Sequence, residues 1–192
     1  MSNSKRMCKH CKSFQPVEEM VKINAGWYCN HDHAILWATA RARKDVLKRN
    51  KRKHAEAKEK LKTRAEWLRD FQAVFNKYVR IRDINDGCIS CDKGKDWQGQ
   101  WHASHLYSRG HSSSLRFNLW NVHKSCSRCN SHLSGNIGEY TPRLIEKIGQ
   151  DRFDWLTANK ATVKRHEIDW LKRAIVIFRK KIKRLNNRNT EN

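Results

Sequence analysis

Two CxxC pairs, Cys88-Ile-Ser-Cys91 and Cys126-Ser-Arg-Cys129, bracket most of the side chains in this sequence that could do chemistry. Each short pair presents two sulfurs to one ion at about 2.3 Å, so four thiolates in two such pairs suit tetrahedral zinc. His102, His105, Asn121 and His123 lie between the pairs, and Asn130 and His132 follow the second. Histidine titrates near neutrality and can take a proton from water, while nitrogen and oxygen donors can hold a second, divalent ion. A base for the attacking water and a cation for the leaving oxygen are what phosphodiester hydrolysis requires.

A further cysteine group opens the chain. Cys8-Lys-His-Cys11 is followed by Cys29-Asn-His-Asp-His33, which offers a Cys3His zinc site of Cys8, Cys11, Cys29 and His33, with His31 as the alternative fourth ligand. A knuckle this small cannot bury enough apolar surface to fold alone, so the metal must supply much of its stability. Seven cysteines, six of them in short pairs, fit one or two structural zinc sites in a reducing compartment better than a disulfide frame. The first residues, MSNSKRMCKHCK, contain no apolar signal core, and no apolar run approaches the roughly 18 residues of a membrane span. A soluble, cytoplasmic protein is expected.

The charge balance names the partner class. The chain carries 41 Lys+Arg against 19 Asp+Glu, a net charge of +22, and such an excess repels itself unless a polyanion is the working partner. Nucleic acid fits, because each neutralised phosphate releases counterions. A membrane surface fits less well, since the most charged stretch lacks a sustained apolar face. Candidate DNA contacts are Arg41, Arg43, Lys44, Lys48, Arg49, Lys51, Arg52 and Lys53, with Arg109, Arg116, Arg179, Lys180 and Lys183.

Four blocks position these groups: a zinc knuckle over 1–33, one or more long basic helices over 34–86, a zinc core over 87–140, and a basic helical region over 141–192. From Ala34 to Asn85 there is neither Gly nor Pro, which predicts helix. Its first part, Arg41 to Arg64, holds 12 basic against three acidic residues and is polar all round, a solvated rod. The second part carries Trp67, Leu68, Phe71, Val74, Phe75, Tyr78 and Val79 at helical spacing, and Gly87 is the expected stop. Leu171, Ala174, Ile175, Phe178, Ile182 and Leu185 form a similar stripe in a basic helix. Either stripe is core or a homodimer seam. Within the zinc block, Trp97–Leu106 and Ser114–Leu119 read as short strands, a helix is expected from near Cys126, and Thr141, Pro142 and Gly149 read as N-cap, first helical residue and stop. Trp97, Trp101 and Trp120 are expected to pack around the zinc core.

The order Ala103-Ser104-His105, Leu115-Arg116-Phe117-Asn118, Asn121-Val122-His123-Lys124-Ser125-Cys126 and Cys129-Asn130-Ser131-His132-Leu133-Ser134-Gly135-Asn136 resembles the NinG (Rap) recombination proteins of lambdoid phages. The likeness is strongest over about 65–160. It implies a mostly helical α+β protein built on a zinc-supported ββα unit of the HNH, treble-clef type, flanked by basic helices. It also implies a phage or prophage endonuclease that cuts Holliday junctions and D-loops with Mg²⁺ or Mn²⁺. By motif position His105 fits the general base, Asn121 the residue that orients it, and Asn130 a metal ligand, as in the endonuclease VII scaffold. His102, His123 and His132 are further ligand candidates, because Ser104 stands where such scaffolds often carry an acid. A non-catalytic zinc-finger protein binding DNA or RNA is the alternative reading, and an architectural DNA-bridging protein a weaker third.

Overall fold

The computed structural model describes residues 4–24 and 26–190. The Gly- and Pro-free run is helical, but it breaks at Leu61–Thr63. That break separates two compact units, 1–62 and 63–192, so the boundary falls inside the 34–86 block.

In the first unit, β1 (Lys5–Met7) pairs antiparallel with β2 (Phe14–Pro16), and β3 (Val21–Ile23) with β4 (Gly26–Tyr28). Lys9 N–H donates to the Trp27 carbonyl at 2.9 Å, which brings the first cysteine turn onto the second hairpin. Cys8, Met20, Tyr28 and Ala34 form the small core, with Trp27 and Trp37 against it. Helix α1 (His31–Lys60) starts at Asn30, whose side chain accepts the His33 N–H at 2.8 Å. Ala34 is its one buried residue, and Arg41 to Lys60 are exposed throughout. Thirty residues at about 1.5 Å per residue make a solvated rod of about 45 Å.

The second unit opens with a capping box in which Thr63 Oγ1 accepts the Glu66 N–H and the Glu66 carboxylate accepts the Thr63 N–H. Helix α2 (Arg64–Arg82) then buries Trp67, Phe71, Phe75 and Val79. These pack against Leu171, Ala174 and Ile175 of α5 (Ile168–Thr190), and Phe71 meets the rings of Phe75, Phe117, Trp170 and Phe178. The two stripes offered as dimer seams are thus one intramolecular core.

Lying on that core is a hairpin of β5 (Trp101–His105) and β6 (Val122–Cys126), registered from Trp101↔Cys126 to His105↔Val122. The predicted strand at Trp97–Leu106 shortens to five residues. Ser114–Leu119 is not a strand: it folds into turns closed by Asn118 N–H to the Leu115 carbonyl, leaving no ladder to join. The helix expected from Cys126 is a single π-helical turn, Arg128–His132. The knuckle claims the amides a helix would use, since Cys126 N–H donates to Cys88 Sγ and Cys129 N–H to Cys126 Sγ.

Ser134, Gly135 and Asn136 then take left-handed conformations with φ 48°, 95° and 50°. They turn the chain into α3 (Ile137–Ile148), which begins five residues before the predicted start. Thr141 is therefore inside the helix, its hydroxyl donating back to the Ile137 carbonyl, and Pro142 is interior too. Gly149 stops α3 with φ 86°, and α4 (Gln150–Asn159) follows. Leu106, Leu115, Tyr140, Leu144 and Leu156 make a second core behind the hairpin. The result is a mostly helical α+β protein with three two-stranded sheets among its described residues. None of its described helices is long and apolar enough to cross a membrane.

Candidate metal-binding and catalytic site

The second unit's cysteines converge as the spacing predicts. The sulfurs of Cys88, Cys91, Cys126 and Cys129 all lie within 4.8 Å of one another. Burial opposes ionisation of the Cys88 thiol, but the Ser125 hydroxyl and the N–H groups of Cys126 and Ser90 outweigh it and lower its pKa to about 7. A donor-stabilised Cys88 thiolate beside three converging sulfurs suits structural zinc, even though burial raises the Cys91 and Cys129 thiols in the absence of a cation. Gly87 serves the turn rather than the helix end: a Cβ there would lie 2.5 Å from the Lys93 carbonyl oxygen. Ile89 N–H donates to the Lys124 carbonyl, so the clamp ties the first knuckle to β6. Trp97 and Trp101 pack on the cluster edge to face. Trp120 does not; it is 36% exposed and paired with Trp155.

In the first unit, Cys8, Cys11, Cys29 and His33 likewise lie within 4.8 Å of one another. Cys8 Sγ stands 3.7 Å from His33 Nδ1. The Asn30 cap fixes the phase of the first helical turn and brings His33, not His31, into the cluster. This Cys3His set could hold a second zinc.

A polar cleft of about 310 Å³ lies beside the hairpin. His102, Ala103 and His105 of β5 line it, with Asn130 of the π turn, Arg109 of the loop, and Asn76 and Arg80 of α2. His102 Nδ1 is 3.0 Å from the Asn130 amide nitrogen, and rotating that amide turns Oδ1 toward the same point. The Ser131 hydroxyl is 3.4 Å from His102 Nδ1. His105 Nε2–H donates to the Arg116 carbonyl at 3.0 Å, which leaves Nδ1 as the free lone pair. Burial, the favourable Arg116 carbonyl notwithstanding, and the charges of Arg109 and Arg116 lower the His105 pKa to about 4. An anion beside those arginines would move it back up.

The other candidates lie elsewhere. Asn121 is fully buried and its side-chain hydrogen bonds do not go to His105: its Oδ1 accepts the Tyr107 N–H, and its Nδ2 donates to the carbonyls of Tyr107 and Leu115. It braces the loop whose next carbonyl, that of Arg116, holds His105. His123 is buried with Nδ1 3.4 Å from the Tyr140 hydroxyl, and burial, then Arg82, lowers its pKa to about 3. His132 is exposed at the end of the π turn. Neither histidine lines the cleft. Ser104, where an acid was expected, is 1% exposed, and its carbonyl accepts from the Tyr140 hydroxyl, so an ionised carboxylate would be unpaired there.

Sequence reasoning missed Asn76 and Arg80. The signal was present as Gln72, Asn76 and Arg80, spaced by four along a helix otherwise read for its apolar stripe. Gln72 links the line to the loop, donating to Asn76 Oδ1 at 2.7 Å and accepting from Arg116 Nε at 2.8 Å. The predicted DNA contacts Arg41, Arg43, Lys44, Lys48, Arg49, Lys51, Arg52 and Lys53 are all exposed on α1, as are Arg179, Lys180 and Lys183 on α5 and Arg109 on the loop. Arg116 is half-buried.

The chain is thus a basic α+β protein with two cysteine clusters that could hold zinc and a histidine-amide cleft beside one of them. It belongs to the NinG family of bacteriophage proteins: the family described as "Bacteriophage Lambda NinG protein" matches residues 1–189. Protein ninG of Escherichia phage 933W is 33% identical over 171 residues, covering 81% of this chain and 82% of the relative. Protein ninG of Escherichia phage lambda is 37% identical over 133 residues, covering 68% and 63% respectively. The ninG protein of Salmonella phage P22 is 42% identical over 89 residues, covering 46% and 43%. No solved structure matches the chain.

Proposed function

We propose that this protein is a metal-dependent DNA endonuclease of the HNH type that cuts branched recombination intermediates, Holliday junctions and D-loops, in the cytoplasm of the phage's host. The observation that carries the reading is the cleft in which His102, His105 and Asn130 meet under a border of Arg80 and Arg109. His102 Nδ1 and the Asn130 amide oxygen would hold Mg²⁺ or Mn²⁺, which supplies positive charge for the leaving oxygen. His105 takes the proton of the attacking water at Nδ1, with Nε2–H fixed on the Arg116 carbonyl. Approach of a phosphate to Arg109 relieves part of the repulsion that depresses the His105 pKa, so the base strengthens as substrate arrives. Arg80 and Arg109 face the phosphate, and the basic faces of α1 and α5 hold the arms of the branched substrate. The choice of branched DNA rests on the NinG likeness.

Cleavage of a labelled four-way junction beside a linear duplex of the same sequence, with Mg²⁺, Mn²⁺ or neither, tests the reading. Wild type should cut the junction preferentially and only with the ion. His105→Ala should bind equally well and cut about 10²–10⁴-fold more slowly. Tight binding without cutting by wild type would instead establish a non-catalytic zinc-finger protein.

A further inference from the structure

On the second unit, a separate cavity of about 330 Å³ is lined by Arg64 of α2, Ser113 and Arg116 of the loop, and Lys164, Arg165 and His166 before α5. Leu68 and Val163 complete it, and no acidic side chain lines it. Two of its residues are tied to the fold, one by its side chain and one by its backbone. Arg116 is anchored through Nε on Gln72, which leaves its terminal nitrogens free of that bond. Lys164 N–H donates to Ser113 Oγ at 2.9 Å, fixing the segment across the cavity. Arg165 also reaches Glu167 at 3.3 Å, on the exposed side.

The independent observation is His166. It is 6% exposed, and neither ring nitrogen makes a hydrogen bond. Burial, then the charge of Lys164, lowers its pKa, so the ring is neutral with one N–H to donate; the nearby Ser113 backbone opposes this only in part and is not in hydrogen-bonding geometry. The ring is packed against Trp170 at 4.3 Å and Phe117 at 5.1 Å between centroids, so it is held firmly in place. A buried imidazole with both nitrogens unpaired is rare unless a ligand completes it. Here it lines a cavity that presents four cationic side chains, which is the chemistry of an oxyanion site.

We propose that this cavity is a phosphate-binding subsite that takes one phosphate of the nucleic-acid strand, with His166 donating to a phosphate oxygen and Arg64, Arg116 and Lys164 supplying the charge. Its assignment to a strand rests on the nuclease reading above. Arg116 joins the two sites, because its backbone carbonyl fixes His105 while its side chain lines this cavity. A phosphate seated here therefore bears on the segment that orients the base.

The test follows the His166 ring nitrogens by NMR in the full zinc-loaded chain. A short single-stranded oligonucleotide, with or without a 5′-phosphate, and inorganic phosphate are the probes. The His166 signals should shift with the oligonucleotide, and an Arg64→Gln/Lys164→Gln variant of unchanged melting temperature should lose the shift. The same variant should lower the slope of log affinity against log salt by about 0.7, for the one single-strand phosphate it no longer neutralises. Equal shifts with and without the 5′-phosphate assign an internal diester, whereas a shift that needs the 5′-phosphate assigns a strand end. Either supports the subsite. Signals that stay still at saturating oligonucleotide, or move equally in the double variant, overturn it. A shift with inorganic phosphate alone overturns the assignment to a strand. A chain that shows the expected shifts yet never cuts a junction loses the nuclease reading and keeps the subsite.

Discussion

His105 and Asn121 carry the motif, but the structure separates what they do. His105 faces the cleft with one nitrogen committed and one free, whereas Asn121 spends all its polar atoms on the loop backbone. Asn121→Ala would leave the Tyr107 N–H and carbonyl unpaired and take one of two donors from the Leu115 carbonyl, and should cost about 3 kcal/mol of stability in urea melts. A loss below about 0.5 kcal/mol, the range of an inert surface change, would contradict the bracing role. The buried histidines also fix the acid limb of stability. His105 has a folded pKa of about 4 against a usual 6.5, so between those values the unfolded chain binds more protons than the folded one. His123, at about 3, acts in the same direction. Stability should therefore be full above about pH 6.5 and fall as pH drops toward 4. His105→Gln should make that fall shallower in melting curves; an unchanged slope would show that the ring is not held neutral. Residue types and spacing announced His105 and both cysteine clusters. Which of His102, His123 and His132 meets Asn130 was illegible, because only the strand's placement decides it.

Among the elements, α1 and α2 are continuous in composition but opposite in role. Past its first turns α1 buries nothing, so Lys48, Arg49, Lys51 and Lys53 are free to work on phosphates without supporting the fold. Replacing those four by Gln should leave the melting temperature unchanged and lower the salt slope of DNA binding by about 0.9 for every phosphate that is no longer neutralised. An unchanged slope in fluorescence anisotropy would remove α1 from the interface. The break between the helices depends on the Thr63–Glu66 capping box, and Thr63→Ala should cost about 1 kcal/mol by calorimetry. Helical periodicity foretold both apolar stripes. What it could not tell was their partner, since a stripe that packs on its own chain and one that packs on a second copy have the same sequence. The misread strand at Ser114–Leu119 and the misread helix after Cys126 have a common cause. Side chains and sulfurs there take backbone hydrogen bonds that local propensity assigns to regular structure.

For the molecule as a whole, two clusters of fitting donors predict two zinc ions per chain by elemental analysis. Cys126→Ser should reduce the count to one by emptying the second unit's site, and Cys8→Ser should do the same in the first. A single ion in the wild-type protein would show that one of the clusters is not a zinc site. The sequence by itself determined the composition-borne features: the net charge of +22, the metal-type cysteine spacings, the helical periodicities and the NinG likeness. These depend on residue identity and near neighbours, which a chain carries unfolded. Only the tertiary structure decided that the 67–79 and 171–185 stripes cover each other, that Asn76 and Arg80 enter the cleft, and that His123 does not. It alone brought Arg64, Arg116 and His166 to one cavity. Those meetings depend on packing between segments far apart in sequence, and no local pattern of residues encodes which buried faces will find each other.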